Sequence, residues 1–342
     1  MTTRFVRIFN LGCVALGLAL FVALLVRLDA REVGARLSQV GVYFGLHCGL
    51  YFLGLLVTAA AWQQIIDPTR SRARFGEVFG AFWAGHAINV LTPTASLGEV
   101  IRGTLLRGKV EGEELVASLV TFHLMSLASL LLMTLAGPLL CLILLDLPRP
   151  LVLTLLLVAM AFVVPVALLW LLLRLGAASR LVRLLRRVPF VRLKDPDALA
   201  ARAAVVDERM RAFRRERPRH FRRAVLYFAA ARVLMAAEYW VLLVPLLPER
   251  SLLWLFGLGF LTQSASQLVV WAATFVPGQL GVAESNSALL FKLLGLGPTL
   301  GFSVEVLRRL RTIIGVAIGL GIGWAMGLRP SRLGIARPHP GR

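Results

Sequence analysis

Residues 89–102 read Asn89-Val90-Leu91-Thr92-Pro93-Thr94-Ala95-Ser96-Leu97-Gly98-Glu99-Val100-Ile101-Arg102, a polar break with a carboxylate set between apolar stretches. The apolar run before it, Phe75 to Val90, stops at this break, and only about nine residues then precede Arg107. A helix that crosses a bilayer needs about 20. The stretch therefore predicts a re-entrant hairpin that enters and leaves the membrane on one side. Broken backbone is tolerated at membrane depth only where protein or a wet cavity satisfies its polar groups, so the break also predicts a cavity.

The rest of the chain supports a membrane setting. Apolar residues make up 58% and charged residues 16%, too few to solvate a water-facing surface of this size. Spanning helices are expected at Ile8–Leu28, Val42–Trp62, Glu113–Leu145 (interrupted at Pro138), Leu151–Leu175, Ala224–Leu247 and from Gly297-Pro298 to Met326. The first runs through Leu24, Leu25 and Val26 into Arg27 without a small-residue cleavage site, and reads as a retained helix. A short amphipathic stretch is expected at Ala30–Gln39. A second break, Pro277-Gly278-Gln279-Leu280-Gly281, separates the apolar run Leu252–Val276 from the short segment Ala288–Leu296. The expected fold is thus all-α and polytopic, with about six spanning helices and two re-entrant helical hairpins.

Shifting the first half by 185 positions brings Leu97, Gly98 and Glu99 near Leu280, Gly281 and Glu284, and Leu115 and Ser118 onto Leu300 and Ser303. The chain reads as one membrane domain with a first repeat at 42–146, a connector at 176–223, a second repeat at 224–327 and a basic tail at 328–342. The connector carries 15 Lys or Arg against 5 Asp or Glu, half of the formal net charge of +20. Such a loop is retained in the cytoplasm and faces anionic lipid headgroups. Counting crossings from it places both termini in the cytoplasm and makes the two hairpins enter from opposite faces, an inverted repeat of the kind seen in many secondary transporters. The charge lies in loops between apolar helices, which argues against nucleic acid as a partner.

Intramembrane charges are costly and therefore informative. Glu99 and Arg102, three apart, either neutralise each other or contact substrate. Glu305 and Arg309 are four apart and can pair, which leaves Arg308 and Arg311 seeking an anion or water. Glu284 has no close basic neighbour in sequence, so it is either protonated or met by an arginine of another helix. Glu238 is expected to pair with Arg232 or with a neighbouring helix, while Asn89, Gln263 and Gln267 are expected to bond backbone freed at the breaks. His86 and His123 read as interior histidines, and Cys13, Cys48 and Cys141 have no ligand spacing. No metal, cofactor or catalytic residue is expected.

With these residues in place, the chain resembles the lysylphosphatidylglycerol synthase transmembrane-region family, also described as flippase-like. The resemblance rests on Asn89–Pro93, Leu97–Arg102, Phe275–Glu284 and the later Leu307-Arg308-Arg309-Leu310-Arg311, and covers roughly Val42 to Met326. The last two motifs are similar to a branch associated with hopanoids. The first break departs from the family pattern in having a single glycine before Glu99, and in His123, where many relatives place an acidic or basic residue. In larger relatives this region translocates lipid while a separate soluble domain transfers lysine from tRNA; this chain leaves no room for that domain and is expected not to be an enzyme. The resemblance implies a bacterial inner-membrane transporter or flippase for a phospholipid or a hopanoid-like lipid. The residues expected to line its cavity are Asn89, Pro93, Gly98, Glu99, Arg102, Pro277, Gly281, Glu284, Arg308 and Arg309. The alternatives are an accessory subunit that recruits a lipid-modifying enzyme through the connector, and an embedded transferase using Glu99 or Glu284. Partners are expected to be membrane lipids, a second copy of the chain, or a lipid-biosynthesis enzyme.

Overall fold

Long apolar stretches satisfy their own backbone as helices, and the computed structural model follows that rule throughout the residues it describes: 30–92, 97–144, 196–272 and 281–327, with isolated positions between 149 and 167. Their helices are α1 Ala30–Val40, α2 Tyr43–Ile65, α3 Phe75–Leu91, α4 Leu97–Leu106, α5 Gly112–Leu144, α6 Pro196–Glu216, α7 Pro218–Leu246, α8 Leu252–Ala272, α9 Val282–Leu293 and α10 Pro298–Ala325. Among the described residues there is no sheet, only isolated bridges at Ser71, Arg107 and Val110. The protein is all-α and polytopic. Helices α2, α5 and α7 are each long and apolar enough to cross a membrane. The expected helix at Ile8–Leu28, most of Leu151–Leu175, the basic tail, and Pro93 and Pro277 lie outside the described residues.

Two expectations are corrected. Helix α5 runs through Pro138 without interruption. A proline leaves a carbonyl of the preceding turn without its amide donor, and here α8 comes close enough for the Ser264 hydroxyl to donate to the neighbouring Met133 carbonyl at 3.2 Å. Helix α9 starts at Val282, six residues before the apolar segment that announces it. Glu284 and Ser287 in its first turns are fully buried, so their polarity marks an interior contact and not a loop. Gly281 precedes the helix at φ 75°, a left-handed conformation that a side chain disfavours.

Helices α3 and α4, of 17 and 10 residues, form a hairpin. At about 25 Å and about 15 Å neither reaches across a hydrocarbon core of about 30 Å. Its two ends are tied together: the Arg72 amide donates to the Lys109 carbonyl (2.7 Å), the Glu111 amide to the Arg70 carbonyl (3.1 Å), and Lys109 Nζ pairs with Glu77 at 2.5 Å. The chain before α3 and the chain after α4 therefore lie at the same level.

The helices of residues 43–144 and 218–325 pack with a shared plan. Exchanging α2 with α7, α3 with α8, α4 with α9 and α5 with α10 maps each pairing among them onto another: α3 on α10 becomes α8 on α5, and α2 on α7 maps onto itself. Two large apolar clusters result among the described residues. One surrounds Trp62, Phe82, Phe122 and Phe228, and the other surrounds Tyr239, Leu258, Phe291 and Leu300.

Candidate functional site

The short helix α4 delivers Glu99 and Arg102 on successive turns of one face. Arg102 Nη1 donates to both Glu99 oxygens, at 2.9 and 3.1 Å. Its guanidinium is buried among the rings of Phe82, Phe122 and Trp62, 4.5, 5.6 and 5.9 Å from their centroids, where it gains cation–π attraction in place of water. Asn89, at the end of α3, accepts from the Gly98 amide through Oδ1 (2.6 Å) and donates to Glu99 through Nδ2 (3.4 Å). It therefore caps freed backbone, as expected, and also holds the carboxylate. His123 of α5 approaches the same carboxylate at 3.2 Å while more than half exposed. Its expected role as an interior histidine is corrected: His123 faces open space beside Glu99. Asn89, Gly98, Glu99 and Arg102 thus form one cluster, and His123 belongs with them.

The second cluster surrounds Glu305. Its Oε1 accepts from Tyr239 of α7 (2.7 Å), from Ser287 of α9 (2.7 Å) and, more distantly, from Ser266 of α8 (3.5 Å), and its Oε2 accepts from Arg308 Nη1 (2.9 Å). Four helices converge on one carboxylate. Arg308 also donates to the Tyr239 hydroxyl and lies 4.3 Å from that ring's centroid. Arg309 turns to the other side and places Nε and Nη2 on Glu284 Oε1, at 2.7 and 2.6 Å. The expected pairing of Glu305 with Arg309 is thereby corrected. The three-residue spacing to Arg308 wins because Glu284 arrives from α9 to claim Arg309.

A third pair extends the network. Arg311 of α10 forms an ion pair with Glu238 of α7, so of the two partners expected for Glu238 the one on a neighbouring helix takes it and not Arg232. Arg311 Nε also donates to His47 Nε2 at 3.4 Å, so that nitrogen is the acceptor; the proton then sits on Nδ1, which donates to the Glu238 carbonyl at 3.0 Å. The Arg311 guanidinium lies 4.0 Å from the Tyr51 ring centroid, and the Tyr51 hydroxyl meets His86 Nε2 at 3.0 Å. This chain links α10 to α3, the helix that carries Asn89. Each of Arg102, Arg308, Arg309 and Arg311 thus has a carboxylate within 3 Å. The family model described as lysylphosphatidylglycerol synthase TM region matches residues 13–319.

The chain belongs to that family. Neither the curated proteins nor the solved structures contain a match to it. The lysylphosphatidylglycerol synthase TM-region match spans both clusters and both breaks, and ties the protein to membrane lipid metabolism. It reaches no catalytic domain, and among the described residues no group of His, Cys, Asp and Glu is placed to hold a metal.

Of the expected residues, Glu284, Arg308 and Arg309 stand at the second cluster, Gly281 precedes the helix that carries Glu284, and Pro93 and Pro277 fall outside the described residues. Sequence reasoning missed Tyr239, Ser287, His47 and Tyr51. The one available signal was Glu238-Tyr239, a carboxylate and a phenol side by side in an apolar helix.

Proposed function

We propose that this chain moves an amphiphilic lipid, a phospholipid or a hopanoid-like molecule, between the leaflets of the bacterial inner membrane, with both termini in the cytoplasm. One observation carries the reading: beside each break stands a carboxylate–guanidinium pair that is partly open, with the side chains of Glu99, Arg308 and Arg309 24%, 19% and 25% exposed. A partly exposed pair is open to competition from an incoming anion. A lipid phosphate entering there competes with Glu284 or Glu305 for the guanidinium through charge-assisted hydrogen bonds. The matching arrangement of the two halves supports alternating access around that point, with the hairpins entering from opposite faces.

The test is lipid scrambling in proteoliposomes that hold a fluorescent phospholipid. Glu284→Gln and Arg308→Ala are each expected to slow translocation about tenfold or more, since each loses a charge-assisted bond in a low-dielectric site. Unchanged rates in both variants would remove these residues from the mechanism and favour a neutral cargo.

The second reading, an accessory subunit, draws on α6, where Arg211, Arg214 and Arg215 are exposed and would meet either anionic lipid headgroups or an enzyme.

A further inference from the structure

Arg232 stands apart from the acid–arginine network. It lies inside the apolar part of α7, Pro218–Leu246, eight residues or about 12 Å past Ala224, where the apolar stretch begins. Its contacts are neutral. Nε donates to Ser129 Oγ at 3.0 Å, Nη2 donates to Ser126 Oγ at 2.9 Å and to the Ser126 carbonyl at 3.3 Å, and Nη1 meets Met235 Sδ at 3.2 Å. Among the described residues no carboxylate pairs with it, and Glu238, two turns further along α7, is taken by Arg311. Arg102, Arg308, Arg309 and Arg311 each have an acid.

In front of Arg232, between α5 and α7, is a cavity of about 350 Å³. Its walls include Met125, Leu132, Met133, Val225, Phe228 and Phe260. Leu132 and Val225 are 55% and 45% exposed, so the cavity opens on the outer, lipid-facing side of the helices. The volume falls within the range of sites that hold small apolar molecules. A guanidinium at this depth calls for an anion, and an apolar pocket beside it calls for hydrocarbon.

We propose that this cavity is a lateral binding site for an anionic phospholipid, with an acyl chain along the α5–α7 groove and the phosphate on Arg232 between the hydroxyls of Ser126 and Ser129. A single membrane lipid supplies both halves of that chemistry. The site is separate from the two breaks and holds whether or not the chain translocates lipid.

The experiment measures retention of phosphatidylglycerol and of diacylglycerol with the same acyl chains by the delipidated full-length protein in detergent, read by native mass spectrometry. Wild type is expected to retain phosphatidylglycerol preferentially. Arg232→Gln is expected to lower that retention about tenfold, the effect of losing a charge-assisted contact, and to leave diacylglycerol, which has no phosphate, unchanged. Ala229 is exposed and lines the cavity, so Ala229→Trp fills the groove from a position that tolerates bulk; it is expected to reduce retention of both lipids. The exposed Arg214 and Arg215 also attract anionic lipid, and Arg214→Gln/Arg215→Gln serves as the comparison. Equal retention of the two lipids by wild type, or a loss in the α6 double variant without one in Arg232→Gln, overturns the site. Should Arg232→Gln fail to fold, undiminished phosphatidylglycerol retention by Ala229→Trp overturns it alone. Scrambling rates, measured separately, report on the breaks and not on this cavity.

Discussion

Gly98 leaves no room for a side chain. A Cβ there would overlap the Gly85 carbonyl oxygen and Asn89 Oδ1, so α3 and α4 approach through bare backbone. Gly98→Ala is expected to destabilise the protein by about 1–3 kcal/mol, the range for forced overpacking. Gly321→Ala, where an added Cβ meets nothing, should stay within about 0.5 kcal/mol. Thermal denaturation in detergent compares the two. Glu305 makes a different demand, because losing its charge leaves the Arg308 guanidinium unpaired and weakens the acceptor shared by Tyr239, Ser266 and Ser287. Glu305→Gln is expected to cost about 3–5 kcal/mol as a broken buried pair, and Glu305→Gln/Arg308→Gln less than the sum of the two single changes. A double-mutant cycle reads the coupling directly; additive costs would mean the pair does not act as a unit.

At the scale of elements, the α3–α4 hairpin depends on its base. There the Lys109 ammonium, and after it the Arg74 amide, hold the Glu77 carboxyl below the usual carboxylate range. A depressed folded pKa means that the contact contributes fully at neutral pH, and that its contribution disappears as pH falls through the depressed value. The protection factor of the Arg74 amide, the unprotected exchange rate over its observed rate at the same pH, is expected to be high at neutral pH and to fall under acid, and in Glu77→Gln it should be low at both. A second tie lies at the end of α2, where Arg217 donates to the Ile65 and Ile66 carbonyls at 3.2 and 3.1 Å and satisfies groups that a helix C-terminus leaves free. Asp67, beside it, shows the balance such ends strike. Partial burial raises its pKa, but the Thr69 amide and hydroxyl, with Arg217 and Arg70, outweigh that and lower it.

The whole molecule decides which part of the connector can be spared. Helix α6 packs on α5 and α7, Arg209 reaches Glu114 at 3.5 Å, and Arg217 at the α6–α7 junction caps α2. Removal of residues 176–223 as a block would therefore unseat the bundle. Replacing only residues 177–194 with a short neutral linker keeps these contacts. Lipid scrambling is expected to survive that replacement, whereas recruitment of a partner enzyme through the connector would fail.

The sequence by itself determined the class of solvent and the helical plan, because apolar run length and the cost of charge in hydrocarbon are properties of composition and spacing. The positions of α2, α3, α7 and α10 and the pairing of Glu99 with Arg102 were legible for that reason: each depends on residues close along the chain. The partners of Arg309, Arg311 and Arg232 were not, since Glu284, Glu238 and Ser129 reach them from other helices and nothing in local spacing selects among several acids. Nor could residue order announce that Glu305 gathers four helices, or that α5 passes Pro138 intact with Ser264 alongside. Such contacts exist only once helices are packed, because in a low-dielectric interior a charge takes whichever opposite group the fold brings within reach.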